Sequence, residues 1–155
     1  AGSSSDQVMN YLKVLTVKNP FAFLILAGVK KYEIRSWNTK YRGQLYIHSA
    51  KQPSKENSIY LINGIERLKP NHLDWHYMTT HGSILGKVEL VDILRISEQV
   101  TIEEASKWGC CDIDEEDKYA WVFENPEIAN LPIQIKGKLG IWNLDTEEET
   151  QTQGE

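Results

Sequence analysis

The chain has 155 residues, 41% of them hydrophobic and 25% charged, and a formal net charge of -5 at pH 7. Those values fit one ordinary soluble domain, long enough to close a real core. The longest apolar run, 21–29, is too short to span a bilayer, so no membrane partner is expected.

In chain order, Ala1-Gly2-Ser3-Ser4-Ser5 lacks the basic and apolar segments of a signal peptide. Residues 1–9 are expected to be disordered or an expression remnant. Tyr11 to Val17 is rich in β-branched and apolar residues and predicts a strand. Asn19-Pro20 then reads as an N-cap followed by proline in the first helical position. The helix it opens, Phe21 to Ala27, is apolar nearly all round and therefore buried, and Gly28 suits its C′ position. Two strand-like runs follow, ending near Trp37 and Ala50, joined by the polar turn Asn38-Thr39-Lys40.

Ser54 is positioned to cap a second helix, 55–68, with Ile59, Ile62 and Ile65 on its apolar side and Pro70 as its stop. Residues 71–81 read as a polar, aromatic loop with at most one helical turn. Ser83 to Ile96 predicts a long strand whose continuous apolar stretches call for burial on both faces or for a bulge. Thr101 and Glu104 form a capping box for a short helix ending at Gly109. An acidic loop, Cys110 to Asp117, precedes a strand from Tyr119 to Asn125 that Pro126 should close. Leu131 to Lys136 and Leu139 to Leu144 then predict a hairpin around Gly137. The segment from Asp145 to Glu155 carries five acids and no base and is expected to be a disordered tail. Six or seven short strands, two or three helices and no regular βαβ alternation favour an α+β barrel in one domain over 10–144.

The charge is unevenly spread. Between Lys30 and Lys55 there are seven basic residues and one acid, Glu33, whereas Glu98 to Asp117 holds eight acids and one base. A locally positive surface attracts phosphates even on an acidic molecule. The adjacent Cys110 and Cys111 are the only cysteines and cannot staple a fold, which points to a reducing, cytoplasmic setting.

The candidate site lies in the first of the two central strands. Alternation puts Glu33, Arg35 and Trp37 on one face, a carboxylate, a guanidinium and an indole that a plain core strand would not need. Lys30, Arg35 and Arg42 could neutralise phosphates, Trp37 or Tyr41 could stack on an unpaired base, and Glu33 could accept from an exocyclic amine. Against this stands a purely structural reading, in which Glu33 and Arg35 pair with other charges and pin the strand. His48 lies beside the basic run, and Asn125 ends the aromatic strand. His72, His76, His81 and Asp74 invite a metal reading, but a weak helix pattern and the lack of a second ligand pair argue for a polar loop, and neither a metal nor another cofactor is expected.

These residues also carry a resemblance. Asn19-Pro20-Phe21-Ala22, then Gly28-x-Lys30-x-x-Glu33-x-Arg35-Ser36-Trp37, Tyr41-Arg42-Gly43 and Ile47-His48-Ser49-Ala50 look like the ASCH domain. Gly86 to Asp92, Trp121 to Pro126 and Pro132 to Trp142 add further matches in the same order, from about residue 12 to 144. The resemblance implies a PUA-like β-barrel of about six strands with two or three flanking helices. It also implies a cleft lined by Lys30, Glu33, Arg35, Ser36, Trp37, Tyr41, Arg42, His48 and Asn125, taking RNA or a nucleotide-like ligand. Some relatives of this fold are amidohydrolases of acetylated cytidine, and others are reported ribonucleases. In the amidohydrolase pattern a threonine nucleophile stands three residues after the lysine, where this chain has Glu33. Catalysis through Lys30, Glu33 or His48 is therefore the less favoured expectation, and a protein-interaction, coactivator-like module is a further alternative.

Overall fold

Asn19 anchors the first helix more fully than a cap requires. Its side-chain oxygen accepts from the Phe23 N–H, while its amide nitrogen donates to the carbonyls of Tyr77 and Thr80 at 2.9 and 2.8 Å. The residue is wholly buried, so these bonds replace the water it loses. The computed structural model describes residues 11–145. Its elements run β1 (Tyr11–Val17), α1 (Phe21–Leu26), β2 (Tyr32–Arg35), β3 (Gly43–Ser49), α2 (Ile59–Leu68) and α3 (His72–Met78), then β4 (Ser83–Arg95), α4 (Ile102–Gly109), β5 (Tyr119–Gln134) and β6 (Ile141–Asp145). All six residues of α1 are buried, and Gly28 follows with a φ of 80° that favours glycine.

The six strands form one sheet in the order β2-β5-β4-β3-β1-β6, with β1 and β3 parallel and the other pairs antiparallel. The expected α+β fold is present, and the sheet curls without closing. The edge strands β2 and β6 are not paired, yet Trp37, just past β2, packs on Gly140, just before β6. A guanidinium nitrogen of Arg35 also donates to the carbonyl of Thr16 on β1 at 2.9 Å. Leu15, Leu45, Ile47, Leu85, Leu90 and Trp121 fill the interior with α1. No helix is long and apolar enough to cross a membrane among the described residues.

Several sequence expectations change. The two central strands, although joined by a short turn, are not neighbours in the sheet: β2 pairs with β5, and β3 lies between β1 and β4. Helix α2 starts after Ser58, whose hydroxyl accepts from the Tyr60 N–H and donates to Asp112. Ser54 instead accepts from Glu56 in a local turn. The buried side of α2 is Leu61 and Gly64, with Ile65 and Leu68 half-buried, while Ile59 and Ile62 are exposed. Gly64 lies against Cys110, where a Cβ would sit 2.8 Å from the sulfur.

A fourth helix, α3, occupies the expected loop. Asn71 and Asp74 cap it reciprocally at 2.9 and 3.1 Å, an Asn/Asp version of the capping box. Pro126 does not end β5, because Asn125 and Pro126 sit in a bulge opposite β4 and need no ladder donor there. Residues 131–134 belong to the end of β5, and β6 pairs with β1, so the predicted hairpin around Gly137 is absent. The expected bulges in β4 are present, and at one of them a Gly86 Cβ would lie 2.1 Å from the Glu127 carbonyl oxygen, an approach only glycine permits. Helix α4 ends, as expected, at Gly109, and Cys110 closes it at a φ of 57°. Both cysteines are free and buried, and burial pushes the Cys111 thiol up to about 12. The expected disordered termini lie outside the described residues, except Asp145, which completes β6.

Candidate functional site

Glu33 is the centre of a buried charge cluster. One of its oxygens lies 3.4 Å from the Lys30 ammonium; the other accepts from the Arg35 Nε at 2.9 Å and lies 2.8 Å from an Arg35 terminal nitrogen. Lys30 also donates to the Gly109 carbonyl at the end of α4 and sits 5.0 Å from the Phe21 ring centroid. With Lys30 2% and Glu33 7% exposed, the pair is cut off from water. Together with the Arg35–Thr16 bond, the cluster ties α1, β2, α4 and β1 together. The expected face-sharing of Glu33, Arg35 and Trp37 is present, the guanidinium lying 5.9 Å from the indole. Trp37 packs edge-on to Trp121 at 4.7 Å, and its carbonyl accepts from the Trp121 ring nitrogen.

The remaining predicted residues fall elsewhere. Ser36 is exposed beside the cluster. Tyr41 and Arg42 lie before β3: the phenol donates to the Gln44 carbonyl at 2.6 Å, and the guanidinium donates to the carbonyls of Thr39 and Tyr41. Tyr41 faces Lys13 across a depression of about 360 Å³, and burial pushes its phenol pKa up. Asn125 is exposed at the β5 bulge with a φ of 52°. The predicted set is thus distributed over separate places. Among the described residues, no three His, Cys, Asp or Glu side chains are grouped to hold a metal ion.

His48 marks a different concavity, of about 710 Å³, between β1, β3 and the segment joining β5 to β6. Thr16, Ala50, His81 and Ile135 line it, with Lys51, Lys136, Lys138 and Leu139. Three lysines line it and no carboxylate does. Leu139 is 96% exposed, leaving a large apolar side chain in water on the cavity that Lys136 and Lys138 also line. The back wall is rigid. His48 Nε2 bonds the Ile135 carbonyl at 2.7 Å, its Nδ1 lies 3.4 Å from the Thr16 hydroxyl, and that hydroxyl accepts from the Trp142 ring nitrogen at 2.8 Å. Burial pushes the His48 pKa down, against the opposing effect of hydrogen bonds to Ile135 and Gly82, which favours the neutral imidazole. A carbonyl can only accept, so the neutral ring carries its proton on Nε2, and Nδ1 is left to accept from the Thr16 O–H. Both ring nitrogens face protein groups, the Nδ1 contact being the longer, so His48 helps to shape the cavity.

Thr16 links the two regions, its carbonyl holding Arg35 and its hydroxyl holding His48 and Trp142. The sequence does not single out Thr16, Lys51, Lys136, Lys138 and Leu139 for a site, and it offers His81 only as a metal ligand. The signal available was Lys136-Gly-Lys138, two cations on a short connection, obscured by placing that segment in a hairpin. A cationic cavity with an apolar surface and a fixed hydrogen-bonded wall can hold an anion joined to a flat or apolar group.

The model of the ASCH domain matches residues 15–135. Activating signal cointegrator 1 of Homo sapiens is 33% identical over 135 residues, which is 85% of this chain, and the Mus musculus protein of the same name is 32% identical over the same length. The chain spans 22% of the length of these relatives. The crystal structure of ASCH from Zymomonas mobilis superposes with a TM-score of 0.54 at 14% identity, over 92% of this chain and 93% of that one. The crystal structure of a serine-to-alanine mutant of that protein gives 0.52 at 12% identity, over 92% and 94%. At that identity the likeness is one of fold.

Proposed function

This chain belongs to the ASCH domain family, and from that premise we propose that the His48 cavity binds an unpaired stretch of nucleic acid, RNA in the first instance. The observation that carries the reading is the meeting of Lys51, Lys136 and Lys138 around one concavity with no carboxylate among its lining residues. The lysines hold backbone phosphates, and the exposed Leu139 with Ile135 and Ala50 offers apolar contact to a base. Arg35 and Trp37 stand behind the Thr16 wall and fix its shape. In this reading Glu33 supports the site through its ion pairs and does not read a base edge. The chemistry also disfavours hydrolysis by the amidohydrolase route, since Glu33 occupies the nucleophile position and is bonded to two cations.

A second reading, a protein-docking module, draws on the name of the relatives and on Ile128, Leu131 and Ile133, which are exposed along β5. The two part in a titration of single-stranded RNA against salt. Changing Lys51, Lys136 and Lys138 together to glutamine should lower the slope of log affinity against log salt by about 2, at about 0.7 per phosphate contact. A wild-type protein that binds no single-stranded RNA at low salt, or a triple variant with an unchanged slope, contradicts the proposal.

A further inference from the structure

Outside the cavity, three cations without an ion-pair partner among the described residues surround one indole. The Lys31 ammonium lies 4.5 Å from the Trp108 ring centroid, the Lys107 ammonium 4.8 Å and the Arg67 guanidinium 5.4 Å. No two of the three cations are then more than about 10 Å apart, against a Debye length of about 8 Å at physiological salt, so their repulsion is only partly screened. They come from three elements: the lead into β2, the last turn of α2 and the last turn of α4. All three are exposed, and among the described residues none of them has a carboxylate within ion-pair distance. Glu103, one helical turn before Lys107, makes no such pair.

The fold holds the cluster in place. Lys31 donates its backbone N–H to the Trp108 carbonyl at 2.8 Å, and Arg67 reaches the Lys107 carbonyl at 3.5 Å. Cations at the ends of α2 and α4 are favoured by the partial negative charge of helix C-termini. That accounts for one cation at each helix end. It does not account for a third, Lys31, brought to the same ring. Cation–π attraction at exposed sites is weak and keeps the three side chains gathered, while it leaves the ammonium hydrogens, and those guanidinium hydrogens not directed at Lys107 and Cys110, available to an anion.

We infer that the Lys31–Arg67–Lys107 cluster around Trp108 is a second phosphate-contact site, taking the backbone of the same nucleic-acid strand that the His48 cavity holds. The inference rests on the nucleic-acid reading of that cavity. The two places are joined by β2: Lys31 precedes it, and Trp37 past its far end packs on Gly140, next to the cavity residue Leu139. Only Tyr32–Arg35 is extended and the chain bends at Ser36 and Trp37, so six residue steps put Lys31 and Trp37 at most about 20 Å apart. One single-stranded site commonly covers about 4–16 nucleotides, so a strand of that size reaches both while a trinucleotide fills only the cavity.

The test compares a single-stranded RNA trinucleotide with a 16-mer by fluorescence anisotropy at several salt concentrations. The variant is Lys31→Gln with Lys107→Gln, and Arg67→Gln is a second variant, with thermal unfolding confirming that each is folded. The double variant should bind the 16-mer about twentyfold more weakly at about 0.1 M salt, with a salt slope smaller by about 1.4, while trinucleotide binding stays unchanged. Arg67→Gln should lower the 16-mer slope by about 0.7. Inorganic phosphate, at the phosphate concentration of the RNA, should not displace the 16-mer. An unchanged 16-mer affinity, an equal loss for both lengths, or displacement by inorganic phosphate overturns the second site and leaves the cavity to be judged by the trinucleotide. If wild type binds neither RNA, the cavity reading and this inference fail together.

Discussion

Glu33→Gln is expected to lower the unfolding free energy by about 3–5 kcal/mol, the usual cost of breaking a buried ion pair from one side. The substitution keeps the side chain's shape, removes its charge and turns one of its two acceptor oxygens into an amide donor that faces a cation. Lys30 is then left with the Gly109 carbonyl and the Phe21 ring as its company, in a place where it is 2% exposed. Arg35 exchanges a charged partner for at best a neutral amide oxygen and keeps its bond to Thr16. The exposed pair Lys87–Glu127, 3.6 Å apart, supplies the internal comparison, and Glu127→Gln should cost at most about 1 kcal/mol. Chemical denaturation of both variants checks the contrast. Equal, small effects would mean that the Glu33 charge is not structural, and would return it to the ligand-reading groups.

The second large effect is expected at Gly137. A Cβ there would lie 2.4 Å from His48 Cε1 and 2.6 Å from Nδ1, so alanine cannot be added while the ring stays in place. The ring cannot easily move, being bonded to the Ile135 carbonyl, facing the Thr16 hydroxyl and packed edge-on to Trp142 at 5.7 Å. Gly137→Ala should therefore destabilise by about 1–3 kcal/mol, as overpacking does. It should also weaken RNA binding, because the segment that lifts carries Lys136, Lys138 and Leu139. Making room with His48→Ser in the same chain should recover part of the loss, giving a coupling of about 0.5–3 kcal/mol in a double-mutant cycle. Strict additivity of the two substitutions would show that they do not share that space.

The fold was legible where chemistry is local. Asn19-Pro20 before an all-apolar run, and Thr101 three residues before Glu104, each state a helix boundary through a backbone hydrogen bond that the residue type supplies. The α3 helix was not legible, since its cap pairs Asn71 with Asp74 in place of the commoner Ser or Thr with Glu. The strand neighbours were not legible either. Periodicity names a strand's faces and says nothing of its partners, so β2 and β3 looked joined when the sheet places β5 and β4 between them.

The same limit governs the site. The alternation of β2 correctly put Glu33, Arg35 and Trp37 together, because face-sharing is a property of one strand. Whether such a trio faces a ligand or another element depends on what covers it, and here Lys30, Thr16 and Gly140 cover it. The cavity draws on Thr16, His48, His81 and Lys136, residues far apart in the chain that only the curled sheet brings together. The positive stretch from Lys30 to Lys55 does not form one patch: Lys30 and Arg35 lie in the Glu33 cluster, Lys31 at Trp108 and Lys51 on the cavity, while Arg42 bonds the carbonyls of Thr39 and Tyr41.

Nucleic-acid binding at the His48 cavity is tested most directly by amide and side-chain NMR shifts on titration with single-stranded RNA. The largest changes are expected on Thr16, His48, Lys51, His81 and residues 136–139, and they should weaken as salt is raised. Changes centred instead on Ile128, Leu131 and Ile133 of β5, with the cavity resonances unmoved, would contradict binding at that cavity.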